Sequence, residues 1–203
     1  GIENNEGNLQ PALEYWQNIL AAEPLAPDAN HMVAELTGDL QGREAAIAHL
    51  QAAIERFPHS YALHSMMMQW HAGTEAAEAE KAARAMLAAF PVDAYARREL
   101  AIALVRGRKW EEAQAETTLA YEMEPTHPLA SFLQGKIHDA AGRTDQAKES
   151  LRVAIRASID YDAAVAALIG MCDTQAEREA ELSFIYDQLV NQVTFGDGLL
   201  AYR

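Results

Sequence analysis

Two histidines and three methionines on one predicted helix are the first residues whose types could do chemistry. His64 and His71 lie two helical turns apart along one face, and Met66, Met67 and Met68 lie between them. Imidazole and thioether groups are ligands for copper, and imidazole is also a ligand for zinc. Metal-binding histidines on a helix are more often a single turn apart, however, and the pattern places no third carboxylate or thiolate ligand here. We therefore expect no metal and no cofactor, and we expect the methionines to pack.

Clustered carboxylates are the second candidate for chemistry, in the stretches TEAAEAEKAARA and EEAQAETT. Their helical spacing places most of them on an outer face, where Glu78 can pair with Lys81 and Glu80 with Arg84. A general acid or base needs a pocket that shifts its pKa, and a solvated helix face supplies none. The sequence also lacks the motifs GxSxG, GxxxxGK[ST], GxGxxG and HExxH. It therefore predicts no catalytic residues and does not predict an enzyme.

The composition narrows the class of protein. Of the 203 residues, 50% are apolar and 7% aromatic, and abundant alanine favours helices whose axes approach closely. The 30 acidic residues outnumber the 16 basic ones, and the net charge of -14 argues against binding to nucleic acid or to an anionic membrane. The single cysteine, Cys172, cannot form an internal disulfide. No segment resembles a signal or a membrane span, so we expect a cytoplasmic protein, or a periplasmic one if a signal was removed.

An internal repeat of about 34 residues organises the chain. It is visible in the alanines Ala12, Ala46, Ala79, Ala113 and Ala147 and in the prolines Pro24, Pro58, Pro91 and Pro125. Both series keep the same interval, except that the steps from Ala46 to Ala79 and from Pro58 to Pro91 are one position shorter. Glycines precede most of the alanines where a helix would reverse direction, at Gly7, Gly42, Gly73, Gly107 and Gly142. Each period therefore predicts a helix, a turn, a second helix and a closing proline.

This pattern resembles the tetratricopeptide repeat family, whose signature is W-x2-L-G-x2-Y, then A-x3-F, then P. The second half of the signature is better kept, as in Ala12, Trp16 and Pro24, while the first half survives in fragments such as LHSMMMQW and RRELAIAL. The resemblance covers roughly residues 6 to 161 and rests on the period. It implies an all-α fold, a right-handed α-solenoid of stacked antiparallel helix pairs that forms a superhelix.

The period also predicts the domain organisation. Residues 1–26 are predicted to form a half repeat, the second helix of a pair whose first helix is absent, so we expect the chain to begin within a repeat. Four repeats are expected, at 27–59, 60–92, 93–126 and 127–161. Residues 162–203 are expected to hold capping helices and, from Leu199 to Tyr202, the start of a following segment.

The resemblance implies that a ligand lies in a concave groove lined by the first helix of each pair. The residues expected to line it combine aromatic, apolar and basic side chains in an otherwise acidic chain. They are Tyr61, His64, Met68, His71, Tyr95, Arg98, Ile102, Phe132 and Lys136, with Arg106, Leu129 and Asp139 on the same stripes. The alternative interpretation is that Tyr61, Tyr95 and Phe132 occupy equivalent places and only pack between adjacent first helices.

Two functions from different classes fit this interpretation. The first is a protein-interaction scaffold, without catalysis, whose groove binds a peptide or a partner helix through apolar anchors and at least one acidic contact. The second is the substrate-recruiting region of a larger enzyme, such as a group transferase, whose catalytic domain lies outside this chain. Self-association through apolar terminal repeats is a third alternative.

Overall fold

The computed structural model describes residues 6–192, with side chains from residue 9. Over this range the backbone is helical, with no strand. The helices are α1 (Glu6–Ala22), α2 (Pro27–Gln41), α3 (Arg43–Arg56), α4 (Tyr61–His71), α5 (Ala76–Ala89), α6 (Ala94–Arg106), α7 (Trp110–Met123), α8 (Pro128–Ala140), α9 (Thr144–Ala157), α10 (Asp162–Gly170) and α11 (Gln175–Asn191). The all-α prediction is confirmed. The segment expected from Leu199 to Tyr202 lies outside the described residues.

The prolines and glycines that predicted the turns lie where the chain reverses. Pro24, Pro58, Pro91 and Pro125 each stand two residues after the end of a helix, and Ile159 has the same place after α9. Within pairs, Gly42, Gly73 and Gly142 have positive φ angles of 94°, 76° and 71°, a region that glycine enters without a steric cost. In the pair α6–α7 the left-handed residue is Arg108, with φ 57°, beside the predicted turn glycine Gly107.

A capping box begins α11. The Thr174 hydroxyl accepts a hydrogen bond from the Glu177 N–H at 3.2 Å, and the Glu177 carboxylate accepts one from the Asp173 N–H at 3.0 Å. This bond to the Asp173 backbone, followed by Lys148 at 3.2 Å, holds the pKa of Glu177 below its usual value. The residue before α5 is Glu75 and the residue before α8 is His127. The His127 ring caps α8 by accepting from the Leu129 N–H at 3.3 Å.

The chain divides into two compact units, residues 1–93 and 94–203. In the first unit, α1 to α5 pack in sequence, each on the next, and α2 also contacts α4. Leu13, Val33 and Leu36 form a buried cluster there, with Trp16 and Leu20 packed against it. Since the connecting loops are short, consecutive helices lie antiparallel.

The second unit contains α6 to α11, and there too each helix packs on the next. The first helices α6 and α8 also contact each other directly. Its core joins α9, α10 and α11 through Leu151, Ile155, Leu168 and Ile185, each at most 1% exposed. The repeat alanines Ala113 and Ala147 are fully buried, because only a small side chain allows neighbouring helices to approach so closely.

Between residues 6 and 192, no helix is both long enough and apolar enough to cross a lipid bilayer.

Candidate partner-binding surface

In the second unit, the predicted groove residues occupy equivalent positions on two adjacent helices. Counted from the helix starts at Ala94 and Pro128, Tyr95 and Leu129 are second, Arg98 and Phe132 fifth, and Ile102 and Lys136 ninth. All six are half-buried or exposed, whereas the seventh and eighth residues of α6, Leu100 and Ala101, are buried. The helices α6 and α8 are in contact, and we call this set of six residues the first-helix surface.

In α4 the predicted residues fall one position out of this register. Counted from Tyr61, the predicted residues Tyr61, His64 and Met68 are first, fourth and eighth, and the residues that correspond to Tyr95, Arg98 and Ile102 are Ala62, Ser65 and Gln69. The starts of α4 and α6 are one position closer together than the starts of α6 and α8, and the prediction did not allow for this. One residue is a rotation of about 100° around a helix, which turns a surface position into a core position.

The structure accordingly places three predicted groove residues in the core of the first unit. His64 and Met68 are each 5% exposed and His71 is 9% exposed. The Nε2 atom of His64 lies 3.0 Å from the Pro58 carbonyl oxygen, and Asn30, one repeat earlier, bonds the Pro24 carbonyl at the same distance. These three side chains are therefore packing residues that a partner does not reach.

Tyr61, which was also predicted to line the groove, is partly exposed. Its side chain is 46% exposed, and its ring meets the Phe90 ring edge to face at a centroid distance of 5.4 Å. Aromatic pairs of this geometry stabilise a fold beyond the area that they bury. Tyr61 therefore packs against the residue that follows α5 with one side and shows the other to solvent.

Arg98 is an ionic component of the first-helix surface. Its guanidinium bonds the carboxylate of Glu124, which follows α7, and its side chain is only 13% exposed. The next residue, Glu99, is half-buried, and burial raises the pKa of its carboxyl although Arg98 acts in the opposite direction. Burial, with Arg98 nearby, also lowers the pKa of His127. The cation of Arg98 is thus already paired, so a ligand must share it with Glu124.

On α8, an aromatic residue and a cation flank a small cavity. Phe132 packs against the core and meets Tyr161 edge to face at 5.3 Å between ring centroids. Lys136 is exposed and, with Asp139, lines a cavity of about 210 Å³ whose other walls are Gly135, Leu151, Ala167, Gly170 and Met171. Gly135 lets α8 approach α9, because a Cβ atom there would lie 2.9 Å from Leu151. The cavity therefore has apolar walls with one charge of each sign at Lys136 and Asp139.

No protein-family profile matches the sequence, and no curated protein has significant sequence similarity to it. Solved structures do match. MamA from Desulfovibrio magneticus RS-1 is 12% identical, with 83% of this chain and 97% of that one covered and a TM-score of 0.64. YrrB, described as a TPR protein with an unusual peptide-binding site, is 19% identical over 79% of this chain and 84% of its own, with a TM-score of 0.60. A thermophilic TPR protein from Thermus thermophilus is 16% identical over 87% of this chain and 97% of its own, also with a TM-score of 0.60.

The chain has a tetratricopeptide-type fold. This confirms the resemblance that the repeat period predicted. In the predicted repeats, α2, α4, α6 and α8 are the first helices of the pairs. Sequence reasoning missed Ser65 and Gln69, which correspond in register to Arg98 and Ile102, and also Glu99 and Tyr161. The shortened interval between Pro58 and Pro91 was the signal that could have identified Ser65 and Gln69.

The surroundings of the Cys172 thiol determine its reactivity. It is half-buried, its thiol donates to the Leu168 carbonyl at 3.5 Å, and burial raises its pKa. A raised pKa keeps the thiol protonated, and the thiolate is the nucleophilic form. Cys172 is therefore poorly suited to act as a nucleophile.

Proposed function

We propose that this chain is a non-catalytic protein-interaction module that binds a peptide or a partner helix on the first-helix surface of its second unit. The observation that supports this most is the register. Tyr95, Arg98, Ile102, Phe132 and Lys136, all predicted as groove residues, belong to two packed helices at matching positions. Aromatic residues and arginine carry much of the binding energy in protein interfaces, so this combination fits a recognition surface.

The chemistry of the surface suggests what the ligand presents. The cavity of about 210 Å³ beside Lys136 has room for one apolar side chain, and Ile102 and Phe132 add apolar contact area. Lys136 is the exposed cation of the surface, so an acidic group of the ligand fits next to the apolar anchor. YrrB, a structure of the same fold, is described as having a peptide-binding site, which supports a peptide ligand here.

Site-specific photo-crosslinking tests this proposal in the full chain. A photo-reactive phenylalanine analogue replaces Lys136 in one variant and Tyr121 in the other, since both positions are exposed but Tyr121 belongs to the second helix α7. The variants are expressed in cells of the source organism and irradiated. We expect a defined adduct from position 136 and none from position 121. Equal adducts from both positions, or an adduct from position 121 alone, would contradict the proposal.

A quantitative test follows with the crosslinked partner. Lys136→Glu should weaken its binding about two- to fivefold, the range expected for loss of an exposed ion pair. Glu122→Lys on α7 is the matched control, a charge reversal at an exposed site away from the surface. If both variants bound the partner with unchanged affinity, Lys136 would not be part of the binding site.

A further inference from the structure

The N-terminus of α8 is capped by a side chain that can change its charge near neutral pH. His127 precedes the helix, and its Nδ1 atom accepts a hydrogen bond from the Leu129 N–H at 3.3 Å. A ring nitrogen that accepts a hydrogen bond carries no proton, so the ring is neutral and its single proton lies on Nε2. The capping bond therefore exists only while His127 is unprotonated.

The fold does not require a histidine at this place. The residues that precede α2, α4 and α6 are Ala26, Ser60 and Asp93, and Tyr161 precedes α10. The side chains of Ala26, Ser60 and Tyr161 make no capping bond. The usual capping residues, serine, threonine, asparagine and aspartate, do not change charge near neutral pH. The pH-sensitive cap is thus a property of His127 and not of the repeat.

The groups around the ring keep it neutral at pH 7. Burial, followed by the charge of Arg98 on α6, lowers the pKa of His127 below its usual value of 6.5, while Glu124 after α7 acts in the opposite direction. Within the described chain, no charged side chain of α9 contributes, and the first turn of α8 contains no acidic residue. The positive end of the α8 dipole also disfavours an imidazolium here. The folded chain therefore protonates His127 only in acid, below pH 6.5.

Two residues of the first-helix surface are directly connected to this ring. Leu129 supplies the N–H that the ring accepts, and Arg98 is bonded to Glu124, the carboxylate that attracts a protonated ring. Protonation would remove the hydrogen-bond acceptor of the Leu129 N–H and would give Glu124 a second cation to pair with. Both changes occur at the surface on which the partner is proposed to bind.

We propose that His127 is a pH-sensitive switch of the first-helix surface, which the neutral ring orders and the protonated ring loosens. In the protonated state the ring turns from the Leu129 N–H toward the Glu124 carboxylate, and the first turn of α8 loses its cap. The switch itself depends only on these residues. Its effect on binding rests on the proposed function, in which the partner contacts this surface.

Two opposing effects decide how acid changes the affinity. A protonated His127 adds a positive charge, which favours an acidic group of the ligand at Lys136. The two residues are nine positions apart, about 13 Å along the helix axis, which exceeds the screening length of about 8 Å. Loss of an N-cap bond acts on the surface directly and corresponds to about a fivefold change in an equilibrium constant. We therefore expect acid to weaken binding of the partner.

An NMR titration of the full chain without a partner tests the switch itself. The chain has seven histidines, and His127→Asn assigns the ring signals of His127. At pH 7.5 we expect the nitrogen-15 shift of Nδ1 to be that of an unprotonated ring nitrogen. On acidification, the ring should titrate with a midpoint below 6.5, and the Leu129 amide proton should shift with the same midpoint. A protonated Nδ1 in the neutral ring, or a Leu129 amide that does not follow the ring, would overturn the inference.

Three variants distinguish the switch from a general effect of acid on the helix. His127→Asn keeps a capping side chain that does not titrate, so its Leu129 amide should stay constant. Glu124→Gln removes the charge that attracts the protonated ring, so it should lower the midpoint of His127. His138→Gln is the matched control, because the Nδ1 atom of His138 also accepts a hydrogen bond, from Arg143 at 3.1 Å, but in the last turn of α8. Loss of the Leu129 titration in His138→Gln, or an unchanged midpoint in Glu124→Gln, would contradict the proposal.

Affinity for the partner that crosslinks at position 136 tests the effect on binding. From pH 7.5 to one unit below the measured midpoint, the Kd of the wild type should rise about fivefold more than the Kd of His127→Asn. Titration of the partner affects both proteins equally and cancels in this comparison. Equal pH dependence in the two proteins would show that His127 does not control binding, while the adduct at position 136 would still support the proposed function. Without any adduct the proposed function fails, and the NMR titration still decides whether the switch exists.

Discussion

At the scale of single residues, Thr117 in α7 has a buried hydroxyl that makes no hydrogen bond within the described chain. Its side chain is fully buried, and its hydroxyl oxygen has no hydrogen-bond partner among the described residues. A buried, unpaired hydroxyl loses its hydrogen bonds to water without compensation. We therefore expect Thr117→Val, which keeps the branched shape, to raise the free energy of unfolding by about 1 kcal/mol. Urea denaturation of the two proteins measures the difference.

The neighbouring residue supplies the control for this substitution. Thr118 is exposed, and its hydroxyl donates to the Gln114 carbonyl at 2.9 Å, so its hydrogen bonding is satisfied. Thr118→Val should change stability by less than about 0.5 kcal/mol. A loss of stability in Thr117→Val would show that its hydroxyl has a partner in solution.

Gly38 sets how closely α2 can approach α4. A Cβ atom at this position would lie 2.5 Å from Cη2 of Trp70, far inside van der Waals contact. Because the indole ring is rigid, Gly38→Ala should force the helices apart and cost about 1–3 kcal/mol. Gly170→Ala is the matched control, since a Cβ atom there meets nothing within 4 Å, and the better helix propensity of alanine should stabilise by up to about 1 kcal/mol. Thermal unfolding measures both effects. A change of the melting temperature in the same direction for the two variants would contradict this explanation.

At the scale of helices, the sequence predicts well which segments are helical, but it predicts less well which side of each helix is buried. Turn glycines and prolines are strong local signals, and the repeat prolines lie two residues after the ends of α1, α3, α5 and α7. Which side of each helix faces the core depends on the number of residues that separates it from the preceding repeat. The single shortened interval was enough to move the predicted stripe of α4 from Ser65 and Gln69 onto the buried His64 and Met68.

Side-chain contacts between different helices could not be predicted from any local sequence signal. The Arg98–Glu124 pair joins residues 26 positions apart, and Trp70 meets Gly38 across two helices. Such contacts depend on crossing geometry, which a periodic pattern does not encode. The ion pair on the first-helix surface is therefore visible only in the structure.

The last described helix, α11, is held to α9 by an ion pair that is partly buried. Arg152 donates from Nε to Glu181 at 3.0 Å and from a second nitrogen to its other oxygen, and the Glu181 side chain is 6% exposed. This bond to Glu181, followed by one to Glu149, raises the pKa of Arg152. Removal of the arginine alone leaves a carboxylate without its partner, so Arg152→Met should cost about 2–3 kcal/mol, moderated because Arg152 is 30% exposed.

A double variant distinguishes an unpaired charge from lost packing. Arg152→Met combined with Glu181→Leu removes both charges and keeps apolar bulk, and buried pairs replaced in this way often lose little stability. We expect the double variant to recover most of the loss in chemical denaturation. A double variant as unstable as Arg152→Met alone would mean that packing of the arginine stem, and not the charge, stabilises α11.

At the scale of the whole molecule, four histidines that are buried or half-buried predict how stability depends on pH. Burial lowers the pKa of His49 and His71 in the first unit, and of His127 and His138 in the second. For His71 the nearby Arg43 and Lys81 act in the same direction and Glu78 opposes them. Between the lowered pKa and the ordinary value of 6.5, the unfolded chain binds more protons than the folded one, so stability must fall as the pH decreases.

We therefore expect the free energy of unfolding to decrease from about pH 7.5 to about pH 5.5, by at most about 1.4 kcal/mol per pH unit for each such histidine. His71 is the best residue to replace, because it is 9% exposed and its Nδ1 atom has no partner within the described chain. His71→Leu should flatten the pH dependence, since the leucine neither titrates nor leaves a polar atom unpaired. Guanidinium titrations at several pH values measure both slopes, and equal slopes for wild type and His71→Leu would show that His71 does not contribute to the acid sensitivity.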